Sequence, residues 1–175
     1  MHAPARALMR ALYAEFDDPD GNFAEQFQTT GFDARTFELY LFALFNEGKW
    51  KIGRRHKQPD FILERDDLVI CVEATTTNVP GGGTKPYLIA PEDDAPDRQL
   101  EYFQNEVPIR FGSPLFSKLQ KRYWELPHIK GRPLVFAIEA FHGPGSLTHS
   151  SSSLTYYLFG LSQRWYHDET GQLII

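Results

Sequence analysis

The sequence predicts an α/β domain with a mixed central sheet flanked by helices, and three observations point there. Runs of aliphatic and aromatic residues at Pro59–Glu64, Leu68–Thr76 and Pro133–Ile138 have the length and composition of strands. Stretches from Asp33 to about Asn46 and from Ser113 to about Glu125 carry helical composition and spacing. With a further strand at Trp50–Arg54, the order along the chain is αβββαβ. The 175 residues, 42% of them hydrophobic, suffice to bury one core. No repeat or linker divides them, so residues 1–175 are expected to form a single domain with its core over about 33–141.

The elements follow in order. Ala5 to Phe16 reads as an N-terminal helix with Leu8, Ala11 and Leu12 on one face, and Asp17-Asp18-Pro19-Asp20-Gly21 stops it. Asp33 can cap the next helix, and Gly48 lies just past its end. There Glu38, Leu41, Phe42 and Phe45 fall at i, i+3, i+4 and i+7, which puts a glutamate on the core-facing stripe. After the Trp50–Arg54 strand, the next two strands form a hairpin through the polar turn Glu64-Arg65-Asp66-Asp67.

Asn78 to Pro96 is rich in Pro and Gly and then acidic, the composition of an exposed insertion, and Asp97–Glu106 suits a short helix. Ser113-Pro114 is a helix start, continued by Leu115, Leu119 and Tyr123 and ended by Pro127. The unbroken apolar run Pro133–Ile138 belongs in a sheet centre. His142 to Ser153 reads as a flexible Gly/Ser loop and Leu154–Phe159 as a short helix closed by Gly160. A hairpin turning at Glu169-Thr170-Gly171 completes a C-terminal segment over 153–175, whose ending on Leu173-Ile174-Ile175 reads as that of a trimmed chain.

Bulk properties narrow the function. The net charge of −5 excludes nucleic-acid binding by overall charge, so any such contact must come from local patches. The single cysteine, Cys71, rules out an intrachain disulfide and a cysteine-cluster zinc site, and its apolar run suits a buried, inert thiol. The N-terminus lacks an apolar signal core and no stretch is long enough to span a membrane, so cytoplasmic residence and no membrane partner are expected. A homodimer or larger assembly stays open.

Two carboxylates carry the chemistry. Asp60 and Glu73 lie on consecutive strands, each in an otherwise apolar run. A carboxylate there is unfavourable unless something binds it. Two of them side by side in a hairpin point to a divalent metal site. Mg²⁺ (or Mn²⁺) suits oxygen ligands and keeps waters for chemistry; it would polarise a phosphate and lower the pKa of a bound water. The plain alternative is that Asp60 terminates a strand, Glu73 pairs with an arginine and Glu38 reaches solvent.

Pro59-Asp60 followed by Glu73-Ala74-Thr75 resembles the signature of the PD-(D/E)XK nuclease superfamily, and the likeness spans about residues 33–141 through the αβββαβ order. The resemblance implies a restriction-endonuclease-like core and Mg²⁺-dependent hydrolysis of phosphodiester bonds in nucleic acid, with DNA the expected partner. It implies metal ligation by Asp60, Glu73 and the carbonyl of Ala74, with Glu38 matching the acid many members carry on the first core helix. Thr75 stands at the lysine position. In many members that lysine has migrated to the helix after the third strand, where Lys118, the first choice, and Lys121 stand. If neither acts, the alternative is a catalytically inactive nuclease-fold module for nucleic-acid binding or protein assembly. A further alternative is an unrelated α/β protein with structural acids.

Basic residues cluster on both sides of the acids. Lys49, Lys51, Arg54, Arg55 and Lys57 precede Asp60; Lys118, Lys121, Arg122, Lys130 and Arg132 follow in and after the second helix. Lys51, Arg54, Arg55, Lys57 and Arg122 are the expected contacts to a phosphate backbone. Tyr123 and Trp124 would stack on bases if exposed, but Trp124 is expected beneath the sheet. Gly81-Gly82-Gly83-Thr84-Lys85 lacks the order of a phosphate-binding loop, His142 and His149 lack zinc-ligand spacing, and Ser150–Ser153 has no hydrolase elbow.

Overall fold

The computed structural model describes residues 3–78, 105–143, 146–160 and 166–174, without the side chains of residues 147–150, 166, 167, 173 and 174. Helices α1 (Ala3–Glu15), α2 (Phe23–Gln28) and α3 (Phe32–Glu47) precede strands β1 (Lys51–Gly53), β2 (Phe61–Arg65) and β3 (Leu68–Asn78). Then come α4 (Val107–Gln120), a 3-10 turn (Tyr123–Glu125), β4 (Leu134–Phe141), α5 (Ser146–Phe159), β5 (Tyr166–His167) and β6 (Leu173–Ile174). Strands β1 to β4 form one sheet in chain order, antiparallel from β1 to β3 and parallel between β3 and β4. The chain is thus mixed α/β, a four-stranded mixed sheet with helices packed on it. Among the described residues no helix is long and apolar enough to cross a membrane.

Period-two alternation sorts the strand residues into two layers. Phe61, Leu63, Val72 and Ala74 join Phe37, Leu41 and Phe42 of α3, with Phe16 and Phe23, in one cluster. Ile62 and Cys71 face the other way and pack with Tyr123 and Ile129. Farther along that face, Val107 and Phe111 of α4 meet Ala140, Ile138 and Leu154. The turn between β2 and β3 places Asp66 in the left-handed region at φ 53°, which a short polar side chain tolerates. At Gly112 the helices α4 and α5 approach closely, since a Cβ there would lie 2.7 Å from the Tyr157 ring.

Several sequence expectations are corrected. Helix α4 starts at Val107, with Pro108 in its first turn, so Ser113-Pro114 lies inside it rather than at its start. It ends at Gln120 because Arg122 turns left-handed at φ 50°, which delivers Tyr123 into a separate 3-10 turn. The segment expected to be a loop from His142 to Ser153 is mostly helix α5. Its hydroxyls bond within the fold instead of opening it: Ser146 Oγ donates to Ala140 O and Thr155 Oγ1 to Ser151 O.

Among the described residues, strand β4 lies at a sheet edge, not the centre. Much of its apolar run is covered, with Phe136 packing toward Tyr123 and Ala137 toward the α3 cluster, while Val135 is exposed. Helix α2 was not anticipated; Asp18 sets it up by accepting from the N–H groups of Gly21 and Phe23. Gly31, not Asp33, precedes the first turn of α3. In α1, Leu8 is exposed and Leu12 alone of the expected trio packs on the core. Trp124 is exposed rather than packed beneath the sheet. The expected insertion and the Asp97–Glu106 helix fall almost wholly on residues 79–104, outside the described residues.

Candidate active site

The antiparallel pairing of Phe61 with Val72 and Ile62 with Cys71, continued by one residue, sets Asp60 across from Glu73. Directly opposed residues share a face of the sheet. The backbone agrees: Ala74 N–H donates to Asp60 Oδ2 at 2.7 Å. Burial, then the neighbouring charges of Glu73 and Glu38, push the Asp60 carboxyl up to about 7, against the opposing pull of the Ala74 N–H and of Lys118.

Glu73 is buried at 3% exposure, and its two oxygens differ. Oε1 accepts from Lys118 Nζ at 2.6 Å and from the Tyr123 hydroxyl at 2.7 Å. Oε2 is buried with no hydrogen-bond partner. Lys118 reaches Glu73 because α4 turns Val107 and Phe111 inward, and a residue seven beyond Phe111 returns to the same face. Tyr123 is fully buried. Burial first, and then its bond to Glu73, raise its phenol above its ordinary value, so it remains a protonated donor.

Glu38 arrives from the opposite layer, on α3. Its Oε1 is 2.6 Å from Arg35 Nη1 and its Oε2 is 3.4 Å from Arg54 Nη2. Burial raises its pKa, and the two guanidiniums work against that shift. Arg35 is itself held by Gln26 of α2. Arg54 lies 3.8 Å above the Phe16 ring and donates to the carbonyls of Asp17 and Asp60.

These groups meet at a polar cleft of about 320 Å³. Glu38, Asp60, Ala74, Thr75 and Lys118 line its recessed part, while Asp20, His56 and Lys57 form an exposed rim. His56 stacks on His128 at 3.9 Å, and His128 Nε2 is 2.6 Å from the Gln58 carbonyl oxygen. The structure thus brings together Glu38, Asp60, Ala74 and Lys118 at one cleft, with Glu73 behind Lys118.

Of the other expected site residues, Arg54 and Lys57 also line the cleft, and Lys51, Arg55, Lys121 and Arg122 lie apart from it. Lys121 is exposed, its ammonium 5.8 Å from the Tyr123 ring centre. Lys51 pairs with Glu64 across the sheet edge at 2.7 Å, Lys57 with Asp20 at 3.5 Å, and Arg122 with Glu125. Arg55 is exposed. Arg54 corrects the expected basic surface: only 9% of its side chain is exposed, and its charge serves Glu38 and the Phe16 ring from inside. Tyr123, read from the sequence only as a stacking candidate, is instead the buried partner of Glu73. Arg35 was missed; its place one turn before Glu38 on α3 was the available signal.

The donor set decides which cation suits the site. Among the described residues no group of three or more His, Cys, Asp or Glu is arranged to hold a metal ion. Mg²⁺ needs no such cage, because it binds through one or two carboxylates and keeps several waters. Asp60, the unpartnered Glu73 Oε2 and the Ala74 carbonyl are hard oxygen donors of that kind, so the residues present fit Mg²⁺ or Mn²⁺. His142 belongs to no such group: its Nδ1 is 2.8 Å from Thr77 Oγ1 and burial lowers its pKa to about 4; the side chain of His149 lies outside the described residues. No protein-family model, curated protein or solved structure matches the chain.

Proposed function

We propose that this protein is a Mg²⁺-dependent nuclease with a restriction-endonuclease-like core, hydrolysing phosphodiester bonds in DNA. The observation that carries this reading is the meeting of Asp60 and Glu73 across the β2–β3 register, with Lys118 Nζ 2.6 Å from Glu73 Oε1 at the wall of a polar cleft. The order α3-β1-β2-β3-α4-β4 supports it, because it repeats the αβββαβ core of the PD-(D/E)XK superfamily.

Asp60, Glu73 Oε2 and the Ala74 carbonyl would hold the cation. Bound there, Mg²⁺ would polarise the scissile phosphate and supply activated water. Lys118 balances Glu73 in the free protein and, on its flexible stem, can turn to the phosphate, where its ammonium stabilises charge that grows in the transition state. Glu38, fixed by Arg35 and Arg54, is an acceptor able to orient a water at the far side of the cleft. Of the expected basic contacts, Arg55 and Lys57 lie nearest in sequence to Asp60 and are exposed, as a strand-guiding role requires.

One observation favours a second reading, a catalytically inactive module that binds nucleic acid. Lys118 and Tyr123 already satisfy Glu73 Oε1, and Thr75 stands at the family's lysine position. Plasmid nicking with and without Mg²⁺, beside Asp60→Ala, separates the two. The nuclease nicks only with Mg²⁺ and only with Asp60 in place; a module binds the plasmid and leaves it intact.

A further inference from the structure

Glu73 is held by two donors of opposite character, and both act on the same oxygen. Tyr123 approaches from the packed side of the sheet: its ring is fully buried among Ile62, Cys71 and Ile129, and its hydroxyl is 2.7 Å from Oε1. The left-handed Arg122, two residues past the end of α4 at Gln120, aims it there. Lys118 approaches from the cleft, on a four-carbon stem with 19% of its side chain exposed. The hydroxyl is fixed by packing on every side, whereas the ammonium can leave for another partner.

We infer that Tyr123 is a positioning residue: it anchors Oε1 of Glu73 so that Oε2 faces the cation, and it frees Lys118 to move from Glu73 to the substrate. This rests on the proposed metal site and assigns it a partner behind its buried ligand. Outer partners that orient a ligating carboxylate govern metal affinity, and losing one weakens binding by about 10- to 100-fold. The lysine has the converse role. Its ammonium competes with a cation for Glu73, so its removal leaves metal affinity unchanged or tightens it.

The test is a titration with Mn²⁺ alone, followed by electron paramagnetic resonance, on the full chain without nucleic acid. Tyr123→Phe keeps the ring and its packing, and the melting temperature without cation checks that the fold persists. Tyr123→Phe is expected to weaken Mn²⁺ binding by about 10-fold or more, while Lys118→Ala keeps the wild-type affinity or exceeds it. Wild-type affinity in Tyr123→Phe, or an equal loss in both variants, overturns the inference and leaves the metal site standing. A wild-type protein that binds no Mn²⁺ removes the metal site and the inference together. Glu73→Gln serves as a second background: if Tyr123→Phe still changes weak Mn²⁺ binding there by the same factor, its effect does not pass through Glu73 and the assignment fails.

Discussion

Replacing Asp60 by Asn should stabilise the metal-free protein, by an amount that grows with pH. The amide keeps an oxygen for the Ala74 N–H and removes the charge that faces Glu73 and Glu38. In the folded protein the Asp60 carboxyl titrates near 7, against an ordinary value of 3.8. Because the folded value is the higher, ionisation opposes folding. The penalty is absent well below the ordinary value, grows as pH rises, and is fully developed above about 7. At about 1.4 kcal/mol per unit of separation, the charge removes roughly 4 kcal/mol of stability at pH 8 and under 2 kcal/mol at pH 5.

Urea unfolding of both proteins in a chelator, at those two pH values, measures the difference while every other titrating group is shared. The Asn variant should be the more stable by an amount about 2 to 3 kcal/mol greater at the higher pH. Added Mg²⁺ should then stabilise the wild type and not the variant. An advantage independent of pH, or a variant less stable at pH 8, would refute the claim that Asp60 is a buried carboxylate destabilised by its neighbours.

Three further outcomes are expected. Arg54→Ala should cost about 3 kcal/mol or more in urea unfolding, because it leaves a buried Glu38 with half its cations and uncovers the Phe16 ring; a loss under 1 kcal/mol would return Arg54 to the surface role. Lys118→Ala should lose turnover by about 100-fold or more while Lys121→Ala keeps it, and equal effects in single-turnover cleavage would contradict the geometry at Glu73. Replacing Arg55 and Lys57 together by Ala should weaken DNA binding alike across sequences and flatten its log–log salt slope by roughly 1 to 2, whereas an unchanged slope would place the strand elsewhere.

The acids were legible because each obeys a local period. Glu38 falls on the stripe of Leu41 and Phe42, and strand alternation puts Asp60 and Glu73 on one face once the hairpin is in register. Lys118 was named through the family resemblance, and the helix face that delivers it is set by the buried Phe111, seven residues earlier. Tyr123 was not legible, since its position depends on a left-handed residue at Arg122 that no local pattern announces. Arg54 looked like surface among Lys51, Arg55 and Lys57. Its burial comes from contacts to Phe16 and Asp17, far away in the chain, which spacing cannot reveal. The serine-rich start of α5 misled for the opposite reason, because hydroxyls that favour loops can also be held inside a fold, as Ser146 Oγ is by the Ala140 carbonyl.

Asp60, Glu73 and Lys118 are proposed to form one cation-dependent cutting site. The most direct test of that proposal is single-turnover cleavage of an end-labelled DNA oligonucleotide, titrated with Mg²⁺, by the wild type and by a folded Glu73→Gln variant. Cleavage should rise with Mg²⁺ in the wild type, vanish in chelator, and be absent from the variant at every concentration. Cleavage without divalent cation, or a Glu73→Gln variant that cuts at the wild-type rate, would contradict it.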